Sequence, residues 1–222
     1  EALPILDRLV DPLLESCLAG LRASNATLKP GPHGMPVTGH ASKIDPTVHT
    51  MEQVVYLINC HTSICKVLEK FPFCIVKLAH LKSAIDGKVS SLVIEQASLA
   101  LRQCGLASSL AALRQYQVQK SGPGESAPSS LSQVPGMDPT TLRSSLNSFE
   151  SDILQLGALS MTQIDKIEDD RVRLQARSST TTMIAEAYNE LFNAVSDADS
   201  GYDNPDAIMR YKPEQVRMMI SS

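Results

Sequence analysis

A chain of 222 residues that is 43% hydrophobic can build one or two cores, and a formal charge of −4 without a Lys/Arg run lacks the electrostatic footprint of a nucleic-acid binder. No apolar run approaches the roughly 18 residues of a membrane span, and no signal peptide or lipidation motif is visible. Five cysteines, an odd number set mostly within apolar helical pattern, point to free thiols and a reducing, cytosol-facing location. Glu1 in place of Met marks the chain as a piece of a longer protein.

In chain order, Leu6, Leu9, Val10, Leu13, Leu14, Leu18 and Leu21 recur at helical spacing. Pro12 behind Asp11 predicts that this helix starts near Asp11, with proline at its first position. Residues 24–46, rich in Gly and Pro, predict a flexible loop. Asp45-Pro46 opens a second helix with the buried stripe Met51, Val54, Val55, Ile58, Ile64, Val67 and Leu68, which Pro72 ends or kinks. The clearest pattern comes next. Stepping by seven from Phe71 meets Leu78, Ile85, Leu92, Leu99, Leu106 and Leu113, an apolar seam that other helices must cover. The companion positions Lys88, Glu95, Arg102 and Ser109 are polar, which excludes a self-sufficient coiled coil and favours a multi-helix bundle. Gly87 and Gly105 do not shift the phase, so one helix from Phe73 to Gln117, about 65–70 Å long and bent at most, is expected within an elongated domain.

Residues 120–137 predict a second flexible loop. Asp138-Pro139 restarts the chain ahead of Leu142, Leu146, Phe149, Ile153 and Leu156. Ser160 and Gln163 have capping-box spacing before a long helix through Ile164, Ile167, Leu174, Ile184, Tyr188, Leu191 and Val195, with weak helix formers at Ser178–Thr182 that predict an irregularity. Asn204-Pro205 and Lys212-Pro213 open two short helices that offer Ile208, Met209, Val216, Met218, Met219 and Ile220 for burial. Short helices are marginal alone, so this tail docks on its own bundle or on a partner. No alternating pattern supports a sheet, and the expected class is all-α, with residues 1–222 as a single helical-bundle domain.

No constellation carries chemistry. Cys60, His61, Cys65, Cys74 and His80 have the wrong spacings for a zinc finger, and Cys60 and Cys65 lie about 140° apart on a helix. They read as buried thiols and surface imidazoles, which leaves a metal-dependent enzyme as a remote alternative. Nucleophile elbow, phosphate loop, dinucleotide fingerprint and zinc-protease helix are all missing from the sequence, so no catalytic, cofactor-binding or metal residue is assigned. Glu168, Asp169 and Asp170 point in different directions on a helix and read as a solvated face.

Val93-Ile94-Glu95-Gln96-Ala97-Ser98, Cys104-Gly105-Leu106, Tyr202-x-Asn204-Pro205-x-x-Ile208 and Pro213-x-Gln215-Val216, together with Val10-Asp11-Pro12-Leu13-Leu14 and Ile58-Asn59-Cys60, resemble the C-terminal part of subunit 6 of the conserved oligomeric Golgi complex. The loop at 24–46 and Pro72 depart from that family's pattern. The resemblance implies a rod-like vesicle-tethering subunit without catalytic activity, acting in intra-Golgi retrograde transport on the cytoplasmic face of Golgi membranes as a peripheral protein. It implies sister subunits, 5, 7 and 8 foremost, as partners, and SNAREs as a second class. Tyr202, Pro205, Ile208, Pro213, Gln215 and Val216 are the candidate partner-contact residues; a SNARE-helix binding module is the alternative function, and it requires an exposed apolar groove.

Overall fold

The computed structural model describes residues 3–26, 46–121, 130–156 and 161–221, and among them no strand occurs. The helices are α1 (Leu3–Ala26), α2 (Pro46–Leu68), α3 (Ile75–Gln103), α4 (Leu106–Ser121), α5 (Pro139–Leu156), α6 (Asp170–Ser196), α7 (Pro205–Ile208) and α8 (Pro213–Ser221), which makes the chain all-α. Single 3-10 turns lie at Pro72–Cys74, Leu131–Gln133, Ile164–Lys166 and Ala198–Ser200. The chain forms two compact units, one from Glu1–Val93 with Thr162–Ala176, the other from Ile94–Met161 with Arg177–Ser222.

In the first unit the buried stripe of α2, Met51, Val55, Ile58, Cys65 and Leu68, shares the core with Leu81, Ile85, Val89 and Leu92 of α3 and with Ile164 and Ile167. The segment before α6 is tied to α2 by side chains. Asn59 brackets Ile167: its Nδ2 donates to the Lys166 carbonyl at 3.0 Å and its Oδ1 accepts the Glu168 N–H at 3.1 Å. Lys66 pairs with Asp169 at 3.1 Å and Lys166 with Glu52 at 2.7 Å. Asp169 is the N-cap of α6, its Oδ1 accepting the Val172 N–H at 3.2 Å, so the helix begins at Asp170 and not at the capping-box spacing of Ser160 and Gln163. Ser160 lies outside the described residues, and Gln163 is buried. The acidic run is thus partly engaged, since Asp170 also pairs with Arg173.

Helix α1 starts at Leu3 and runs through Pro12, earlier than the expected start at Asp11. A proline forgoes one helical hydrogen bond, and the apolar period on both sides of it favours continuing the helix. Asp11 is no cap; its carboxylate accepts from Lys77 Nζ at 2.6 Å.

The second unit is organised around Leu99, Leu106 and Leu113 of the seam, which meet a core of Leu142, Leu146, Phe149, Ile184, Tyr188, Leu191 and Val195. The expected single helix is broken at Gly105, which adopts φ +78 between the end of α3 and the start of α4. Left-handed backbone ends helices, and glycine takes it without a Cβ penalty. Gly87, by contrast, lies within continuous α3. The seam stays buried from Ile85 to Leu113, Leu78 is half-buried, and Phe71 is 44% exposed. Asp138 caps α5 as the sequence predicts, with Oδ1 accepting the Thr141 N–H at 3.0 Å. Ser178–Thr182 is regular helix, contrary to expectation; Thr181 is buried with its hydroxyl donating to the Arg177 carbonyl, so the polar group is satisfied within the helix.

The expected loop at 24–46 lies largely outside the described residues, with α1 extending to Ala26 and α2 starting at Pro46. Of the stretch 120–137, residues 130–137 are packed: Leu131 and Met137 are buried, and Ser109 Oγ donates to the Gly136 carbonyl at 3.2 Å. Glu95 is exposed while its neighbour Gln96 is buried.

Candidate interaction surface

The most prominent open feature of the first unit is an apolar groove of about 820 Å³ between α1, the C-terminal end of α2 and the corner that follows it. Val10, Leu14 and Cys17, spaced four and three apart, form the inner face of α1. Among the described side chains of α1, Val10 alone is fully buried. Leu9 and Leu13 lie beside that face and remain 63% and 55% exposed, forming one wall of the groove. The other wall is Ile64, Val67 and Leu68 of α2. Val67, expected in the buried stripe, is 58% exposed.

Pro72 sets the end of the groove. Without an N–H to give, it stops α2 at Leu68 and places Phe71 in extended backbone, at φ −121 and ψ 108, before a single 3-10 turn. Cys74 turns fully inward, while Phe71 and Phe73 stay exposed with ring centroids 5.7 Å apart. Ile75 and Val76 extend the exposed apolar run along the chain. Among the described residues no charged side chain lines the groove. Exposed leucine, valine and phenylalanine gathered in one concavity are suited to receiving the apolar stripe of a helix, with burial of each such side chain favourable by about 1.5–3 kcal/mol.

The tail candidates fall elsewhere. Tyr202, Ile208 and Val216 are buried within their own unit, Pro205 and Pro213 are half-buried, and Gln215 is exposed with Oε1 accepting the Lys212 N–H at 2.8 Å. Tyr202 Oη donates to the Met137 carbonyl and Tyr188 Oη to the Tyr211 carbonyl, the latter at 2.7 Å, which fastens the tail from both sides. Ile208, Met209, Val216 and Ile220 are buried, Met219 is half-buried, and Met218 is 67% exposed. Arg210 lies 3.6 Å from the buried Glu150 carboxylate, whose desolvation raises its pKa against the opposing pull of the guanidinium.

The cysteines and histidines do not converge. Among the described residues no group of three His, Cys, Asp or Glu side chains is placed to hold a metal ion. Cys65, Cys74 and Cys104 are buried, and burial pushes the Cys65 and Cys104 thiols above their ordinary range. His61 is held below the usual imidazole range by burial, with Nδ1 2.6 Å from the Leu57 carbonyl oxygen. No helix among the described residues is long and apolar enough to cross a membrane.

Compared with known proteins, residues 1–220 match the family described as conserved oligomeric Golgi complex subunit 6, C-terminal. The chain belongs to this family. Conserved oligomeric Golgi complex subunit 6 of Dictyostelium discoideum is 33% identical over 172 residues, covering 77% of this chain and 24% of that protein. The subunit 6 proteins of Rattus norvegicus and Homo sapiens are 24% and 23% identical over 217 residues, each comparison covering 98% of this chain and 28% of the relative. The chain therefore spans about a quarter of the length of these subunit 6 relatives. No solved structure matches it. The family match spans every residue that lines the groove.

Proposed function

We propose that this chain is part of a non-catalytic subunit of the Golgi vesicle-tethering complex, acting in intra-Golgi retrograde transport on the cytoplasmic face of Golgi membranes. Its helical units serve as a scaffold, and the groove between α1 and α2 takes the apolar stripe of an amphipathic helix from a sister subunit, with subunits 5, 7 and 8 the first candidates. The observation that carries this reading is the uncharged lining of the groove beside five exposed apolar side chains, Leu9, Leu13, Val67, Phe71 and Phe73, in a family whose name describes an oligomeric complex. An uncharged lining selects a partner by shape and apolar area, since a charged group docked there loses its water without gaining a counter-charge. The tail adds to a partner surface through side chains it leaves exposed, Gln215 and Met218 among them.

The test is co-purification of the sister subunits with the full-length protein carrying Leu13→Asp together with Val67→Asp. Both side chains are more than half exposed, so the fold tolerates the change. Loss of capture with an unchanged circular dichroism spectrum is the expected result, and undiminished capture would remove the groove from the interface. The same groove supports a second reading, a site for a SNARE-motif helix. Saturable binding of SNARE-motif peptides that the double variant abolishes, with sister-subunit capture intact, would establish that reading instead.

A further inference from the structure

Cys17 on α1 and Cys60 on α2 are both half-buried and line one open cavity at the helix pair. The Tyr56 hydroxyl belongs to a side chain one turn before Cys60 on α2 that lines the same cavity. Gly20, three residues beyond Cys17, lies beside that hydroxyl, which a Cβ there would meet at an ordinary contact distance of 3.5 Å. An open cavity of about 500 Å³, lined by Cys17, Tyr56 and Cys60 among others, reaches the pair from outside. The remaining cysteines, Cys65, Cys74 and Cys104, are buried.

We propose that Cys17 and Cys60 form a redox-sensitive pair that closes to an intramolecular disulfide and staples α1 to α2. The oxidant is a small disulfide of the glutathione type. One protein thiolate attacks it, forming a mixed disulfide and releasing one glutathione thiolate. The second protein thiolate attacks the protein sulfur of that mixed disulfide, the Cys17–Cys60 bond forms, and the second glutathione leaves. Two protein thiols are oxidised, one glutathione disulfide is reduced to two thiols, and two electrons are transferred.

The bond requires the sulfur atoms to close to about 2.05 Å with Cα atoms about 4.4–6.8 Å apart. On α1, Val10 is the one fully buried side chain among those described, and Asp11 pairs with Lys77 of α3. Cys17 lies two turns beyond Val10 on the same face, so the staple adds a covalent tie two turns from that buried side chain. Desolvation and the neighbouring Cys60 push the Cys17 thiol above its ordinary range, so closure is slow near neutrality and accelerates as pH rises.

The full chain is equilibrated with glutathione disulfide and glutathione at graded ratios, then analysed by intact mass, peptide mapping and hydrogen exchange. The expected product has lost two hydrogens, yields a Cys17–Cys60 cross-linked peptide, and exchanges amide hydrogens of α1 about ten-fold more slowly than the reduced form. Cys17→Ser and Cys60→Ser, read separately, stop at a single glutathione adduct on the remaining thiol. Stable glutathione adducts on both Cys17 and Cys60 of the unsubstituted chain, or cross-links to Cys65, Cys74 or Cys104, would overturn the proposal. Closure that leaves exchange in α1 unchanged would overturn its role as a staple.

Discussion

Replacing Gly201 with alanine tests how the tail is joined to the rest of its unit. Gly201 sits at φ +78 after the 3-10 turn Ala198–Ser200, and a Cβ there would stand 2.6 Å from Ser130 Cβ and 2.7 Å from Ser132 Oγ. Left-handed backbone costs an alanine about 1–2 kcal/mol, and relieving an overlap of that depth against another turn costs about 1–3 kcal/mol more. The expected loss is about 2–5 kcal/mol. Gly105 supplies the internal comparison, since it has the same φ of +78 while its Cβ would meet Ser145 Oγ at 3.2 Å. Gly105→Ala should therefore show the backbone strain with little of the overlap, about 1–2 kcal/mol. Gly87 is exposed in mid-helix with nothing within 4 Å, so Gly87→Ala should stabilise by about 0.5–1 kcal/mol. Equilibrium urea unfolding followed by circular dichroism gives the three values, and hydrogen exchange shows whether Tyr202 to Ile220 lose protection in Gly201→Ala alone. If Gly201→Ala and Gly105→Ala agree within about 0.5 kcal/mol, the close approach to Ser130 and Ser132 is not maintained in solution and the reasoning fails.

Tyr188→Phe keeps the stacking on Phe149 but leaves the Tyr211 carbonyl without its donor, and should cost about 1–2 kcal/mol in urea unfolding. Burial raises the Tyr188 and Tyr202 phenols to about 12, above the unfolded value near 10, so the stability they confer is complete below pH 10 and lost as pH rises through 12. Absorbance near 295 nm should then show tyrosine ionising together with unfolding in that range. Arg210→Ala leaves the Glu150 carboxylate buried without its cation and should destabilise by about 1 kcal/mol, while the double variant with Glu150→Gln recovers most of the loss. Asp169→Ala removes the cap of α6 and the Lys66 pair, for a loss of about 1–2 kcal/mol. The Lys66 hydrogen bond lowers the Asp169 pKa, so this contribution is present above the unfolded carboxylate value and disappears as pH falls through the folded one, as acid titration of the variant against the parent will register.

Where apolar periodicity and a proline-led start coincide, the sequence was readable: α2, α5, α7 and α8 begin at Pro46, Pro139, Pro205 and Pro213. The errors arose where one local signal had to be weighed against packing. Asp11-Pro12 looks like a helix start, yet the leucine period continues through it. Gly105 leaves the seven-residue phase intact, because Leu99, Leu106 and Leu113 remain buried on both sides of the turn, so the period alone could not disclose the break. Ser178–Thr182 reads as weak because propensity counts lone hydroxyls, whereas the buried Thr181 donates its hydroxyl to the Arg177 carbonyl of its own helix. The groove was hidden for a related reason. Phe71 and Val67 each fit an apolar stripe, and only the extended backbone ahead of Pro72 turns them outward; the available signal was the cluster Phe71, Phe73, Ile75 and Val76 around that proline.

The single fully buried side chain described on α1 and the exposed leucines of the groove have one origin. A helix whose period gives it Val10, Leu14 and Cys17 for its own unit still carries Leu9 and Leu13 just off that face, and these have nothing to cover them within the described residues. Docking an apolar stripe over them adds burial to both α1 and the occupant, so occupancy and the ordering of α1 are linked by mass action. A disulfide at Cys17–Cys60 supplies part of that ordering in advance, which lowers the conformational cost an occupant meets. On the proposed function, the oxidised chain should therefore bind the sister-subunit helix more tightly than the reduced chain, and the increase should vanish in Cys17→Ser. Equal affinity in the two redox states, with closure verified by mass, would show that α1 is already fully ordered before anything docks.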